Sequence, residues 1–214
     1  MPINLIKNKY IHYIGRFLEE KPTDDKVQLY NHEVEEKENL KCRVTEKPVI
    51  LIVGYGTDCD KFLTQLILLR DFKTKGVSVK NITYNPLGYV FDMTVYEYPK
   101  KIFYPDSVCS INRDIKKIDN ENCDLIIANI GGGIRSLSKK NTNNYGALAE
   151  AFFDAVDVDI VMLCVNTFIS PEIIKKDIIK MWDKGVSDVI VIVSNKTYSY
   201  STLDIDFGAD VYKV

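Results

Sequence analysis

Four uninterrupted apolar runs of four to six residues recur along the chain, at Val49–Val53, Leu125–Ala128, Ile160–Val165 and Val189–Val193. Runs this short, without alternation, read as strands buried on both faces, the pattern of a parallel sheet with cover on each side. Val77–Tyr84 alternates and reads as a further strand, while residues 85–106 are mostly irregular with one strand near 89–96. Helical periodicity fills the intervals. One helix follows Asp60, with Phe62, Leu63, Leu66, Ile67, Leu69 and Phe72 expected on its buried side, and it ends near Gly76. Others are expected over 107–121 and 145–156, and from Ser170-Pro171-Glu172 (a Ser N-cap with Pro in the first turn) to Gly185. Strands that alternate with helices need crossover connections. The expected fold is therefore α/β: a three-layer, mostly parallel β-sheet with helices on both faces, P-loop- or Rossmann-like.

The first 47 residues differ in style. They carry 18 charged side chains, nine of each sign, and Ile6, Tyr10, Tyr13, Ile14, Phe17 and Leu18 recur at helical spacing. The expectation is an amphipathic helix over about 3–19 and a charged linker to 47, followed by an α/β domain over 48–214. The helix is a candidate for homo-oligomer contact. The whole 214-residue chain has 28 basic and 30 acidic side chains, a net charge of −2, which gives no pull toward nucleic acid. No apolar run reaches 18 residues and the N-terminus has no signal-like stretch, so no membrane partner and a cytoplasmic location are expected. Five cysteines at 42, 59, 109, 123 and 164 are too widely spaced for a zinc site or a disulfide framework. Cys123 and Cys164 read as small core residues, and only Cys59 lies in a glycine-containing loop. His12 and His32 lie in the arm, away from the loops.

Ligands of parallel sheets bind beyond the carboxyl ends of the strands, so the loops there carry the argument. Gly54-Tyr55-Gly56-Thr57-Asp58-Cys59-Asp60-Lys61-Phe62 has the parts of a phosphate loop: strand, glycines, and a helix that opens with lysine. It departs from GxxxxGK[ST]: the leading glycine is one position early, Asp60 replaces the glycine before lysine, and Phe62 replaces the metal-binding Ser/Thr. Thr64 offers a hydroxyl one turn later. A carboxylate about 5 Å from a phosphate, at an effective dielectric near 20, costs about 3 kcal/mol, so Asp58 and Asp60 oppose an anion unless they turn away. Three readings stand at this point: a hydrolytic loop, a degenerate nucleotide or anion site, and a tight turn.

Gly131-Gly132-Gly133 follows the second buried strand and suits close approach to a ligand or to the first loop. That strand ends in Asn129, not in the acid that would hold Mg²⁺. The polar stretch Arg135–Asn144 has no apolar pattern, and Asn143 and Asn144 are candidate caps of the next helix. Ser194-Asn195-Lys196 resembles the base-reading Asn-Lys of GTPases, with Tyr198 in place of the acid. Tyr84, Tyr89, Tyr96, Tyr98 and Tyr104 are candidates for a peptide-binding surface. The candidate cofactor-binding residues are Gly54, Gly56, Thr57, Lys61, Thr64, Gly131, Gly132 and Gly133. No catalytic residue and no metal ligand is assigned.

Gly-x-Gly-x-x-x-x-Lys-Phe-x-x-Gln-Leu at 54–66, Asp-Leu-Ile-Ile-x-x-x-Gly-Gly-Ile at 124–134 (with one extra Gly) and Thr-Asn-x-Tyr-Gly-x-Leu-Ala at 142–149 occur together. This combination is similar to a family of clostridial accessory proteins encoded with radical-SAM peptide maturation systems, which modify ribosomally made peptides (RiPPs). The similarity spans about residues 48–168. Members carry a larger N-terminal domain, which this chain replaces with its helix and arm. The resemblance implies an accessory protein that recognises a precursor peptide or a radical-SAM maturase. The loop adds ATP or GTP with Mg²⁺ as the candidate ligand. The alternative is an ATP- or GTP-dependent P-loop-type enzyme of the same pathway.

Overall fold

The computed structural model describes residues 13–14, 29–30, 42–56, 59–96, 104–137, 139 and 142–194. The chain divides into two units between Leu40 and Lys41. In the first unit, β1 (Tyr13–Ile14) pairs in parallel with β2 (Leu29–Tyr30). Tyr13 and Ile14 are thus extended, where the periodicity predicts helix; aromatic and β-branched neighbours favour a strand once a partner is offered. The rest of the expected helix, with His12 and His32, lies outside the described residues.

The second unit contains β3 (Val49–Gly54), α1 (Lys61–Thr74), β4 (Val79–Thr83), a 3-10 turn at Pro86–Phe91, β5 (Thr94–Val95) and α2 (Tyr104–Asp119). They are followed by β6 (Leu125–Asn129), a 3-10 turn at Asn143–Gly146, α3 (Ala147–Ala155), β7 (Ile160–Asn166), α4 (Pro171–Asp183) and β8 (Asp188–Ser194). Six strands form one sheet in the order β5-β4-β6-β3-β7-β8, and every pairing is parallel. From β3 the chain steps over β6 to β4 through α1 and on to β5 at the edge, and every crossover after β5 runs back the other way. Right-handed crossovers therefore place α1 on one face and α2, α3 and α4 on the other.

The alternation of buried strand residues follows this division. Val49, Leu51 and Val53 join Ile126, Ala128, Val161 and Leu163 under α2–α4, where Ile111, Ile115, Phe152 and Met181 close the core. Ile50, Ile52, Ile127, Met162 and Cys164 face α1, against Leu68 and Phe72. The three-layer α/β architecture with a P-loop-like β3–loop–α1 unit is thus as expected, with a sheet that is parallel throughout.

The buried face of α1 differs from the expectation. Lys61, Thr64 and Gln65 point inward, while Leu63 and Ile67 are 53% and 42% exposed. Its apolar and polar residues are scattered round the helix with no dominant face, so periodicity does not decide its orientation. No helix among the described residues is long and apolar enough to cross a membrane.

Residues 42–47 belong to the second unit and run along α2. Asn112 Oδ1 accepts from Arg43 N, and Asn112 Nδ2 donates to Arg43 O. Asp119, whose side chain is 1% exposed, accepts from Glu46 N and Lys47 N at 3.1 and 2.8 Å and from Lys116 Nζ at 2.5 Å. Burial pushes the Asp119 carboxyl upward, but Lys116 and the two N–H groups outweigh it and hold the pKa below the usual value. A depressed carboxylate stabilises the fold above its unfolded pKa and loses that contribution as pH falls through the folded one. Asp119→Asn is expected to cost about 1–3 kcal/mol at neutral pH. It should also flatten the loss of stability below about pH 4, measured by urea denaturation across the acid range.

Candidate functional site

β3 ends at Gly54 beneath its loop, and α1 begins at Lys61. Asp60 between them has φ 58° and ψ 23°. This left-handed conformation is the one glycine ordinarily supplies before the lysine of a phosphate loop, here adopted at this one position by a costlier residue. The Asp60 carboxylate accepts from Ser194 Oγ at 2.5 Å, at the end of β8. Its charge is thereby held on the sheet end. Asp58 and Thr57 lie outside the described residues.

Lys61 is buried, and its ammonium donates to the carbonyl of Gly132. Burial lowers its pKa, while Cys59 and Cys164 act in the opposite sense. Thr64 is buried too, its hydroxyl 3.5 Å from the Cys164 thiol on β7, so it faces the sheet. The Cys59 thiol donates to Gly56 O at 3.2 Å and packs on Gly54, where a Cβ would run into its sulfur and stand 2.6 Å from Cys164 O. Burial pushes the Cys164 pKa up to about 11, which keeps the thiol neutral. Gly56 faces open space.

Gly133 is packed where a Cβ would stand 2.6 Å from Asn143 Nδ2 and 3.0 Å from Tyr55 O. Gly131 and Gly132 are half-buried, Gly132 with φ 70°. The glycines after β6 thus press against the first loop, and the sequence names this as one of their two uses. The capping role expected of Asn143 and Asn144 is corrected. Asn143 Nδ2 donates to Tyr55 O at 2.7 Å and to Arg135 O at 3.1 Å, and α3 starts from Gly146 with no side-chain cap. Asn143, Asn144, Tyr145 and Gly146 all have positive φ (47°, 51°, 56° and 76°), a left-handed turn. Tyr145 in that turn is 75% exposed.

The sequence pattern misses three further features. The Tyr55 ring is fully buried, and its hydroxyl donates to Asp177 Oδ2 at 2.7 Å; burial, then the Asp177 bond, raises its pKa. Arg135 lies 3.4 Å from the same carboxylate. The carboxyl ends of the strands also carry a polar rim, with Thr83, Asn129, Asn166 and Ser194 all buried. A reading by apolar runs trims such residues off as strand ends; their small polar type after each run is the available signal. Of the tyrosines considered, Tyr84 and Tyr96 pack edge to face, Tyr104 donates to Asp154, Tyr89 is exposed, and Tyr98 lies outside the described residues. Among the described residues no group of three or more His, Cys, Asp or Glu side chains is placed to hold a metal ion.

No protein-family model and no curated protein matches the sequence. Solved structures resemble the fold. A DUF1611 family protein from Anabaena variabilis has a TM-score of 0.52 at 14% identity, over 75% of this chain and 52% of that one. This chain thus spans about half the length of that protein. The kinase domain of Escherichia coli tyrosine kinase ETK has a TM-score of 0.46 at 13% identity, over 73% and 72% of the two chains. Signal recognition particle receptor FtsY from Elizabethkingia anophelis has a TM-score of 0.32 at 12% identity, over 74% and 63%. At such identities a likeness speaks to fold alone.

The left-handed turn sets opposite expectations for two neighbours. Gly146→Ala adds a Cβ that runs into the Ile134 carbonyl at a positive φ, and should cost at least about 2 kcal/mol. Tyr145→Gly relieves a strained, exposed residue and should stabilise by up to about 1 kcal/mol, less the added freedom of the unfolded chain. Paired urea denaturation curves check both signs.

Proposed function

We propose that the chain is an accessory protein that binds a phosphate-bearing ligand, a nucleotide such as ATP or GTP, at the β3–α1 loop without hydrolysing it, and serves a peptide maturation pathway. The observation that carries the ligand is the meeting of Lys61, the N-terminus of α1 and the glycine trio at the carboxyl end of the sheet, with Asp60 in the conformation of a phosphate-loop glycine. Gly56, Lys61 and Gly132 would hold the phosphate. The ammonium that donates to Gly132 O would exchange that carbonyl for a phosphate oxygen, and the α1 dipole favours the same charge.

Among the described residues the donor set does not fit Mg²⁺ at this loop. Phe62 stands at the Ser/Thr position, Thr64 is turned to Cys164, and Asn129 ends the strand where an acid is needed. This weighs against the ATP- or GTP-dependent enzyme, which would need a metal to neutralise developing charge. The pathway rests on the resemblance of three sequence segments. In support, these segments are neighbours in space: Gly133 abuts Tyr55, and Asn143 bonds both Tyr55 and Arg135. The partner is a precursor peptide or a radical-SAM maturase.

Thermal unfolding with ATP or GTP, with and without Mg²⁺, tests the ligand. A nucleotide at 100 times its Kd should add about 2.7 kcal/mol. The shift is expected to survive removal of Mg²⁺ and to disappear in Lys61→Met, which keeps the buried stem. A wild-type protein that shifts with neither nucleotide would refute the reading, and turnover of either would restore the enzyme.

A further inference from the structure

A second site lies between α3 and α4, where a cleft of about 360 Å³ opens on the face of the sheet away from α1. Its floor is apolar, with Ile134, Ala149, Phe153 and Met181. One wall carries Lys176, Lys180 and Lys184, at steps of four along α4. Arg135 lines the cleft beside Asp177, and Glu150 lies on the opposite helix. Lys180 pairs with Glu150, and Lys184 lies 3.3 Å from Glu150 and 2.6 Å from Asp154. These are partly exposed pairs, worth about 1 kcal/mol or less each, which another carboxylate can replace. Among the described residues Lys176 makes no ion pair.

The lysines repeat every four residues of helix, a rise of about 6 Å. An extended peptide presents every second side chain on one side at about 6.6 Å. We propose that the α3–α4 cleft docks an extended peptide with carboxylates at alternate positions and apolar residues between them. The carboxylates meet the lysine row of α4, and the apolar side chains, on the other side of the strand, enter toward Ala149 and Phe153 of α3. A single compact anion would use one lysine and leave the row and the apolar floor idle. The proposal rests on the peptide-recognition part of the function above for its occupant, and not on nucleotide binding.

Isothermal titration calorimetry reads binding at this wall. The full chain is titrated, without nucleotide, with an acetylated Leu-Asp-Leu-Asp-Phe amide and with its Asn-for-Asp counterpart. Saturable binding is expected. It should weaken about tenfold for the neutral peptide, about tenfold in the exposed-site variant Lys176→Glu, and further as salt rises. Absence of saturation, or equal affinity for both peptides, would overturn the proposal. Leu203-Asp204-Ile205-Asp206-Phe207 carries the same alternation in this sequence. The chain with Asp204→Asn and Asp206→Asn is therefore titrated in parallel. Binding confined to that variant would assign the cleft to the chain's own segment and overturn an external partner. Because no nucleotide is present, failure here leaves the Lys61 reading standing, and the thermal-shift result leaves this one untouched.

Discussion

One carboxamide braces two loops at the carboxyl end of the sheet. Asn143 reaches across from the turn before α3 and donates at once to Tyr55 O and Arg135 O. Those two carbonyls belong to the loops after β3 and β6, which the Ile134 N–H also ties by donating to Gly54 O at 2.9 Å. A buried backbone carbonyl without a partner is costly, and a shared donor removes that cost for two loops. The left-handed turn at 143–146 is what brings Asn143 there, so its strain and the loop closure are aspects of one arrangement. Gly133 has no side chain for a related reason, since the space its Cβ would need is filled by the amide.

The sheet was legible because apolar runs bounded by turn residues leave few alternatives. Val49–Val53 and Ile160–Val165 have the composition of strands covered on both sides, and the structure pairs them directly. The orientation of α1 was not legible. Its apolar and polar residues are scattered round the helix, so periodicity does not show that a lysine and a threonine turn inward. Tyr13–Ile14 failed for a related reason, since helical spacing in a short segment cannot anticipate a parallel partner at Leu29–Tyr30.

In the candidate site, residue type and spacing located the loop, the lysine and the glycine trio. They did not reveal where each polar group is spent. Asp60 looked like a charge opposed to an anion, yet Ser194 from the far edge of the sheet takes its carboxylate. Thr64 looked available and is directed at Cys164. Asn143 looked like a helix cap and serves as a brace. Ser194, Cys164 and, for Asn143, Tyr55 each lie more than 80 positions away in the chain. Local pattern carries no information at that range.

Tyr55 changes the mechanical character of the loop. A glycine-bearing turn after a central strand is ordinarily the softest part of a parallel sheet, but here its second residue is riveted by a fully buried ring to Asp177 in the middle of α4. That helix has 13 residues and is therefore about 20 Å long. The first loop and the lysine-bearing wall of the α3–α4 cleft are thus joined by a hydrogen bond at the midpoint of α4.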